Sequence, residues 1–233
     1  MNNQKFDRTT SIGEIVAAFP QSSDFFKKYK IDFCCGGTRS LEQAISERKL
    51  KEEEFLEELE QFYLKNIRSV AETDWRTVQS EELVNHIISI HHQYAASEVK
   101  QMTPYVNKVA LVHGDKHPHL KTVLTLFNEL KSEIDEHFKK EETVAFPEII
   151  KHEKNKTEQS LKELTPIIQS LVAEHDQAGK ILKKIREITH DYLLPSDACG
   201  TYRLVYNRLE MLEDDMFQHI HLENNILFPR YMC

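Results

Sequence analysis

The sequence predicts an all-α protein, an antiparallel four-helix bundle preceded by a small helical domain. Three observations carry that expectation. Glycine and proline number only 6 and 7 in 233 residues, too few turn formers for many short strands. Apolar residues recur at helical intervals over long stretches, and no segment alternates apolar and polar residues as a half-buried strand would. Hydrophobic residues make up 40% and charged residues 29%, a balance that suits a packed core and argues against disorder.

The elements follow in order. In SSDFFKKYK, Ser22 or Ser23 is placed to cap a short helix, and IDFCCGGT then breaks the pattern with paired glycines. SLEQAISERKL and KEEEFLEELEQFYLKNI are helical by composition and apolar spacing. The polar stretch AETDWRTVQS reads as a linker, which sets a boundary near residue 75 between a small domain (1–75) and the bundle (76–233). Four long helices are predicted beyond it. The first spans roughly 80–112 with Pro104 as a possible kink, and the second roughly 118–146, ending near Pro147. The third spans roughly 158–191 with Pro166 near its start, and the fourth roughly 197–228, ending near Pro229. The connections are short enough for antiparallel neighbours.

The formal net charge of −8 makes the chain a poor general binder of nucleic acid or anionic membrane, both of which need clustered Lys and Arg. The opening MNNQKFDRTTSIGEI lacks the apolar core of a signal peptide, and no apolar run nears the ~20 residues of a membrane span. The expected location is the cytoplasm. In that reducing compartment Cys34, Cys35, Cys199 and Cys233 are expected to be thiols.

The strongest signal is an internal duplication. His137 and Glu141 are followed by Phe146-Pro147, and His219 and Glu223 by Phe228-Pro229 at the same offset. Four residues is about one helical turn, so each His and Glu share a face. Each of these helices is preceded by one that carries a further histidine, in His91-His92 and in Glu174-His175-Asp176. The separations match: 83 residues from His92 to His175, and 82 both from His137 to His219 and from Glu141 to Glu223. A lone helical His with a Glu one turn away is ordinarily a surface pair. Its repetition in register points instead to a pseudo-two-fold site between four helices. Within the first helix, His92 continues the Val84–Ile88 stripe and His91 the Leu83–Ile87 stripe, so both stay candidates.

Four imidazoles and two carboxylates exceed what a single zinc ion takes. They suit two metals bridged by both carboxylates and by an oxo or hydroxo group. Mixed His and carboxylate ligation with open positions favours iron, or else manganese. Glu142 and Glu174 are placed to hydrogen-bond the ligands. Elsewhere, Cys34 and Cys35 sit on a glycine-loosened loop before a helix start, with Arg39 nearby. That setting suits a nucleophile or soft-metal ligand; the alternative is a pair of small buried apolar side chains. Cys199 and Cys233 read as incidental.

Together FCCGG at 33–37, HIISIHH at 86–92, VHGD at 112–115, HFKKEE at 137–142, EHDQAG at 174–179, DACGTYR at 197–203 and HIHLENNILFPR at 219–230 resemble the RIC family. These are the repair of iron centres proteins, or iron-sulfur cluster repair di-iron proteins. The resemblance covers nearly the whole chain. It implies an N-terminal domain with the vicinal cysteines joined to a haemerythrin-like four-helix bundle. It implies two non-haem irons, oxo- or hydroxo-bridged, on His92, His137, Glu141, His175, His219 and Glu223, which selects His92 over His91. It implies restoration of iron-sulfur clusters damaged by nitrosative or oxidative stress, with damaged cluster proteins and nitric oxide or oxygen species as partners and a homodimer as one arrangement. Iron donation through Cys34 or Cys35, or redox chemistry on nitric oxide, is the expected route. The competing expectation is a haemerythrin-like carrier or sensor of oxygen or nitric oxide.

Overall fold

A computed structural model of the chain describes residues 6–66 and 73–232. Cys233 and the first two residues of the polar stretch that begins at Ala71 lie outside the described residues. The chain divides into two compact units, Met1–Gln79 with Ile220–Cys233, and Ser80–His219. Among the described residues the secondary structure is helical apart from one isolated bridge between Ser11 and Ser40. No helix among them is long and apolar enough to cross a membrane.

In the first unit, α1 (Ile12–Ala18), α2 (Ser22–Lys28), α3 (Leu41–Glu47) and α4 (Glu52–Asn66) enclose a core of Ile12, Ile15, Phe25, Phe26, Leu41, Phe55 and Leu59. Ser11 and Ser40 each make a capping box, accepting from the N3 backbone while Glu14 or Gln43 reaches back. The two caps lie side by side, because Ile12 N–H donates to Arg39 O and Leu41 N–H to Thr10 O. This pairing closes the cysteine loop against the start of α1. The cap of α2 differs from the expectation. Gln21 is the N-cap, and Ser22 opens the helix with its hydroxyl turned back to donate to Phe19 O. Burial of Ser22 among apolar neighbours favours that internal bond over a cap.

The second unit is built from long helical runs. The first comprises α5 (Ser80–His86), a π-helical segment π1 (Ile87–His92) and α6 (Gln93–His113), and passes Pro104 without a break. The next joins α7 (His119–Lys140), π2 (Glu141–Ala145) and α8 (Phe146–Lys154). It therefore continues beyond Pro147, where the sequence predicts an end. Proline lacks a donor and clashes with the carbonyl four residues back; the wider π turn before it relieves both, and Pro147 then serves as an opening residue of α8. α9 (Glu158–Ile188) also runs through its internal Pro166. α10 (Gly200–Leu222) continues into π3 (Glu223–Leu227) and a 3₁₀ turn (Phe228–Tyr231).

Side-chain pairs fix the directions of packing. His113 meets Cys199 near one end of the α6–α10 pair, and His92 meets His219 near the other. His137 meets His175 between α7 and α9, and Arg186 meets Glu213 between α9 and α10. Residues 113 and 92 meet 199 and 219 in opposite order, so the first and last runs are antiparallel, an arrangement that four-helix bundles with short connections use. Apolar residues such as Val99, Met102, Phe127, Leu130, Ile168, Leu171, Leu209 and Leu212 fill the interior.

Candidate metal centre

Imidazole and carboxylate donors stand in the middle of this apolar interior. His92, His137, Glu141, His175 and His219 are all buried. His92 closes π1 and Glu141 opens π2, so two donors sit at the edges of wide turns, which recur at functional sites. The register shift is visible in the backbone: Phe146 N–H donates to Glu141 O, five residues back.

The donors form two groups that share one carboxylate. His92, Glu141 and His219 bring ligand atoms within 4.8 Å of one another, and so do His137, Glu141 and His175. The Nε2 atoms of His92 and His219 are 3.2 Å apart, and those of His137 and His175 are 2.9 Å apart. Glu141 Oε2 lies 3.4 Å from His92 Nε2, while Glu141 Oε1 lies 3.2 Å from His137 Nε2 and 3.7 Å from His175 Nε2. Two nitrogens bound to one ion at about 2.1 Å sit about 3.0 Å apart at a right angle and about 3.4 Å apart at the tetrahedral angle. The 3.2 Å spacing falls in that range and the 2.9 Å spacing just below it. One oxygen of Glu141 thus faces each histidine pair. Buried imidazole and carboxylate donors at such spacings fit metal binding.

The ring nitrogens turned away from this centre are held too. His92 Nδ1 lies 2.8 Å from Glu142 Oε1, and His137 Nδ1 lies 2.8 Å from Glu174 Oε2. With the proton on Nδ1, donated to these carboxylates, each Nε2 keeps its lone pair for a metal. Burial pushes the Glu174 carboxyl up, but hydrogen bonds from Lys140 and His137 outweigh it and hold the group below the usual range. Phe138 stacks on His92 at 4.0 Å and 4°.

His91 takes a different place. Its Nδ1 pairs with Asp215 at 2.8 Å and its ring stacks beside His219 at 5.9 Å. His219 and Glu223 are one turn apart on a single helical run, with Glu223 buried at the first residue of π3. There Phe228 N–H donates to Glu223 O, so the repeated Phe-Pro follows a π turn in both halves of the duplication.

In the first unit Cys34 is buried and Cys35 half-buried, with sulfurs 3.7 Å apart. Asp32, which the sequence reading passed over, lies with its Oδ1 3.3 Å from Cys34 Sγ. Its signal was present in the spacing Asp-Phe-Cys-Cys, a carboxylate two residues before a vicinal thiol pair.

Comparison with known proteins agrees with this division of chemistry. Residues 83–231 match the haemerythrin HHE cation binding domain, and residues 8–63 match a domain of unknown function, DUF542. The chain is 38% identical to the iron-sulfur cluster repair protein ScdA of Staphylococcus haemolyticus, over 94% of this chain and 96% of that one. It is 35% identical to the iron-sulfur cluster repair protein YtfE of Enterobacter sp. strain 638, over 97% and 98%. A YtfE of Escherichia coli O17:K52:H18 is 34% identical over the same shares.

Proposed function

The chain belongs to the iron-sulfur cluster repair proteins that join a DUF542 domain to a haemerythrin-type cation-binding domain, and on that premise we propose that it restores iron-sulfur clusters damaged by nitrosative or oxidative stress. In this reading His92, His137, Glu141, His175, His219 and Glu223 would hold two non-haem iron ions together with an oxo or hydroxo group. The observation that carries it is Glu141, whose two oxygens face different histidine pairs within a buried site. Glu223, one turn beyond His219 as Glu141 is one turn beyond His137, completes the symmetric set.

An iron pair supplies electrons and exchangeable positions for a small molecule. The protein supplies the rest. Glu142 and Glu174 hold the protons at Nδ1 of His92 and His137 and fix both rings. Phe138 covers a face of His92 and keeps water from it. Iron is also the cargo: it is given up to a damaged cluster protein in the cytoplasm, with Cys34 and Cys35 receiving it on the way.

The test is transfer of labelled iron from the loaded protein to a nitric-oxide-damaged cluster protein. Transfer that restores the cluster, and that falls in Cys34→Ser/Cys35→Ser, is the expected result. No transfer, together with steady turnover of nitric oxide by the reduced protein, would replace donation with redox chemistry. Reversible binding of oxygen or nitric oxide and neither activity would make the protein a carrier.

A further inference from the structure

We propose that Asp32, Cys34 and Cys35 form a second metal site, a three-ligand docking point for one borderline divalent ion such as Fe(II). It rests on the repair reading only in naming iron as the physiological cargo; the binding itself follows from geometry. The ligand atoms of the three residues lie within 4.8 Å of one another. Two thiolates on one ion at about 2.3 Å and the tetrahedral angle stand about 3.8 Å apart, and a thiolate and a carboxylate oxygen about 3.6 Å apart. The sulfurs of Cys34 and Cys35 are 3.7 Å apart, and Cys34 Sγ lies 3.3 Å from Asp32 Oδ1. The bite is within a few tenths of an ångström of closing on an ion, far from the ~2.05 Å of a disulfide.

The loop that presents these donors is fixed by its carbonyls. Arg39 donates to Asp32 O and Gly36 O, each at 3.0 Å, and is itself anchored by Glu47. Asn225 donates to Phe33 O at 3.3 Å and Cys34 O at 2.9 Å. Gly13 N–H donates to Gly37 O at 2.8 Å. Glycine is required at 37, because a Cβ there would lie 2.6 Å from the backbone oxygen of Phe33 as well as 2.3 Å from Asn225 Oδ1. Five carbonyls in a stretch of six residues are thus tied to groups elsewhere in the unit. The backbone is set before any ion arrives, and the entropy of ordering the loop is already met. Cys34 is buried, while Cys35 and Asp32 are half-buried and give the site an open side.

The donor set defines the ligand. Two sulfurs select a borderline or soft ion, and the carboxylate excludes preference for a purely soft one, which leaves Fe(II), Zn(II) or Co(II). Binding releases the thiol protons, so two thiolates and a carboxylate meet a dication. Three protein ligands leave a fourth position open, where a receiving protein's donor enters before the ion departs. Such a site suits passage of an ion and contrasts with the closed four-ligand sites that store one.

The test is an anaerobic Co(II) titration of the iron-loaded full-length chain in a Cys199→Ser/Cys233→Ser background, read by the sulfur-to-cobalt charge-transfer band. The band is expected to saturate at one cobalt per chain and to vanish in Cys34→Ser/Cys35→Ser. Asp32→Asn keeps the oxygen that accepts from Cys34 N–H but loses the charge, and is expected to weaken binding at least about tenfold. His137→Ala, with its helical circular dichroism intact, is expected to lose bundle iron and keep the band. No band in the folded iron-loaded protein, unchanged affinity in Asp32→Asn, or loss of the band with the bundle iron would each overturn the site. A normal band beside absent iron transfer would uphold the site and refute donation.

Discussion

Glu141 is the residue on which the bundle chemistry turns, since it serves both histidine pairs. Glu141→Gln keeps the volume and removes the charge; on the proposed two-iron reading it is expected to lower bound iron to less than one per chain, with helical content unchanged, by metal analysis and circular dichroism. Glu142→Ala leaves the proposed ligands in place but removes the partner of His92 Nδ1, and is expected to cost about 10–100-fold in iron affinity. Away from the centre, Glu213 is fully buried and accepts Arg186 Nε at 2.9 and 2.7 Å. Glu213→Ala leaves the Arg186 guanidinium only the more distant Asp191 and Glu210, and is expected to cost about 1–3 kcal/mol in urea denaturation. His119 carries a pH dependence. Burial first, then the charges of His117 and His190, hold it below the ordinary 6.5. It stays neutral in the fold while the unfolded chain takes a proton, so its stabilisation is present above that value and is lost as pH falls through it. His119→Gln is expected to flatten the fall of unfolding free energy as pH drops below about 6.5.

At the scale of the element, the π turns explain a mismatch between pattern and structure. Pro147 looks like a helix end because an interior proline ordinarily costs a hydrogen bond and a clash. Phe146 N–H reaching back five residues to Glu141 O widens the turn, so the helix continues and still presents a ligand at the bulge. The duplication itself was legible, as was the shared face of His137 and Glu141. The π register was not, because nothing in a 3.6-residue periodicity marks one inserted residue. The cysteine loop rests on a short element whose cap is exposed to test. Ser40 accepts from Gln43 N–H at 3.2 Å while Gln43 reciprocates at 3.0 Å, so Ser40→Ala is expected to cost about 1 kcal/mol of stability in thermal or chemical unfolding.

At the scale of the molecule, folding and metal binding are linked. Each ion taken up by the folded chain alone adds stability that grows with its concentration, about 2.7 kcal/mol at a hundredfold excess over Kd. Chelation of iron is therefore expected to lower the Tm, and Glu141→Gln to start from the lower value and show little further change. The division into units follows the same logic of contact. The sequence sets the boundary near residue 75, and the compact units separate at Gln79 and again at His219, within the last helical run. Asn225 shows why the second division arises: its amide is bonded to the backbone of the cysteine loop, far away in sequence.

The sequence by itself determined the helical class, the four long helices and the duplicated His and Glu spacing, because these depend on local periodicity and on one-turn offsets. Its apolar stripes left His91 and His92 equivalent, and only the family resemblance selected His92. Tertiary packing gives His91 to Asp215 and turns His92 Nε2 toward His219 and Glu141. It likewise brought Asp32 to the thiol pair through a loop held by Arg39 and Asn225. Direction of a side chain and closure of a loop depend on partners distant along the chain, and no local pattern encodes them.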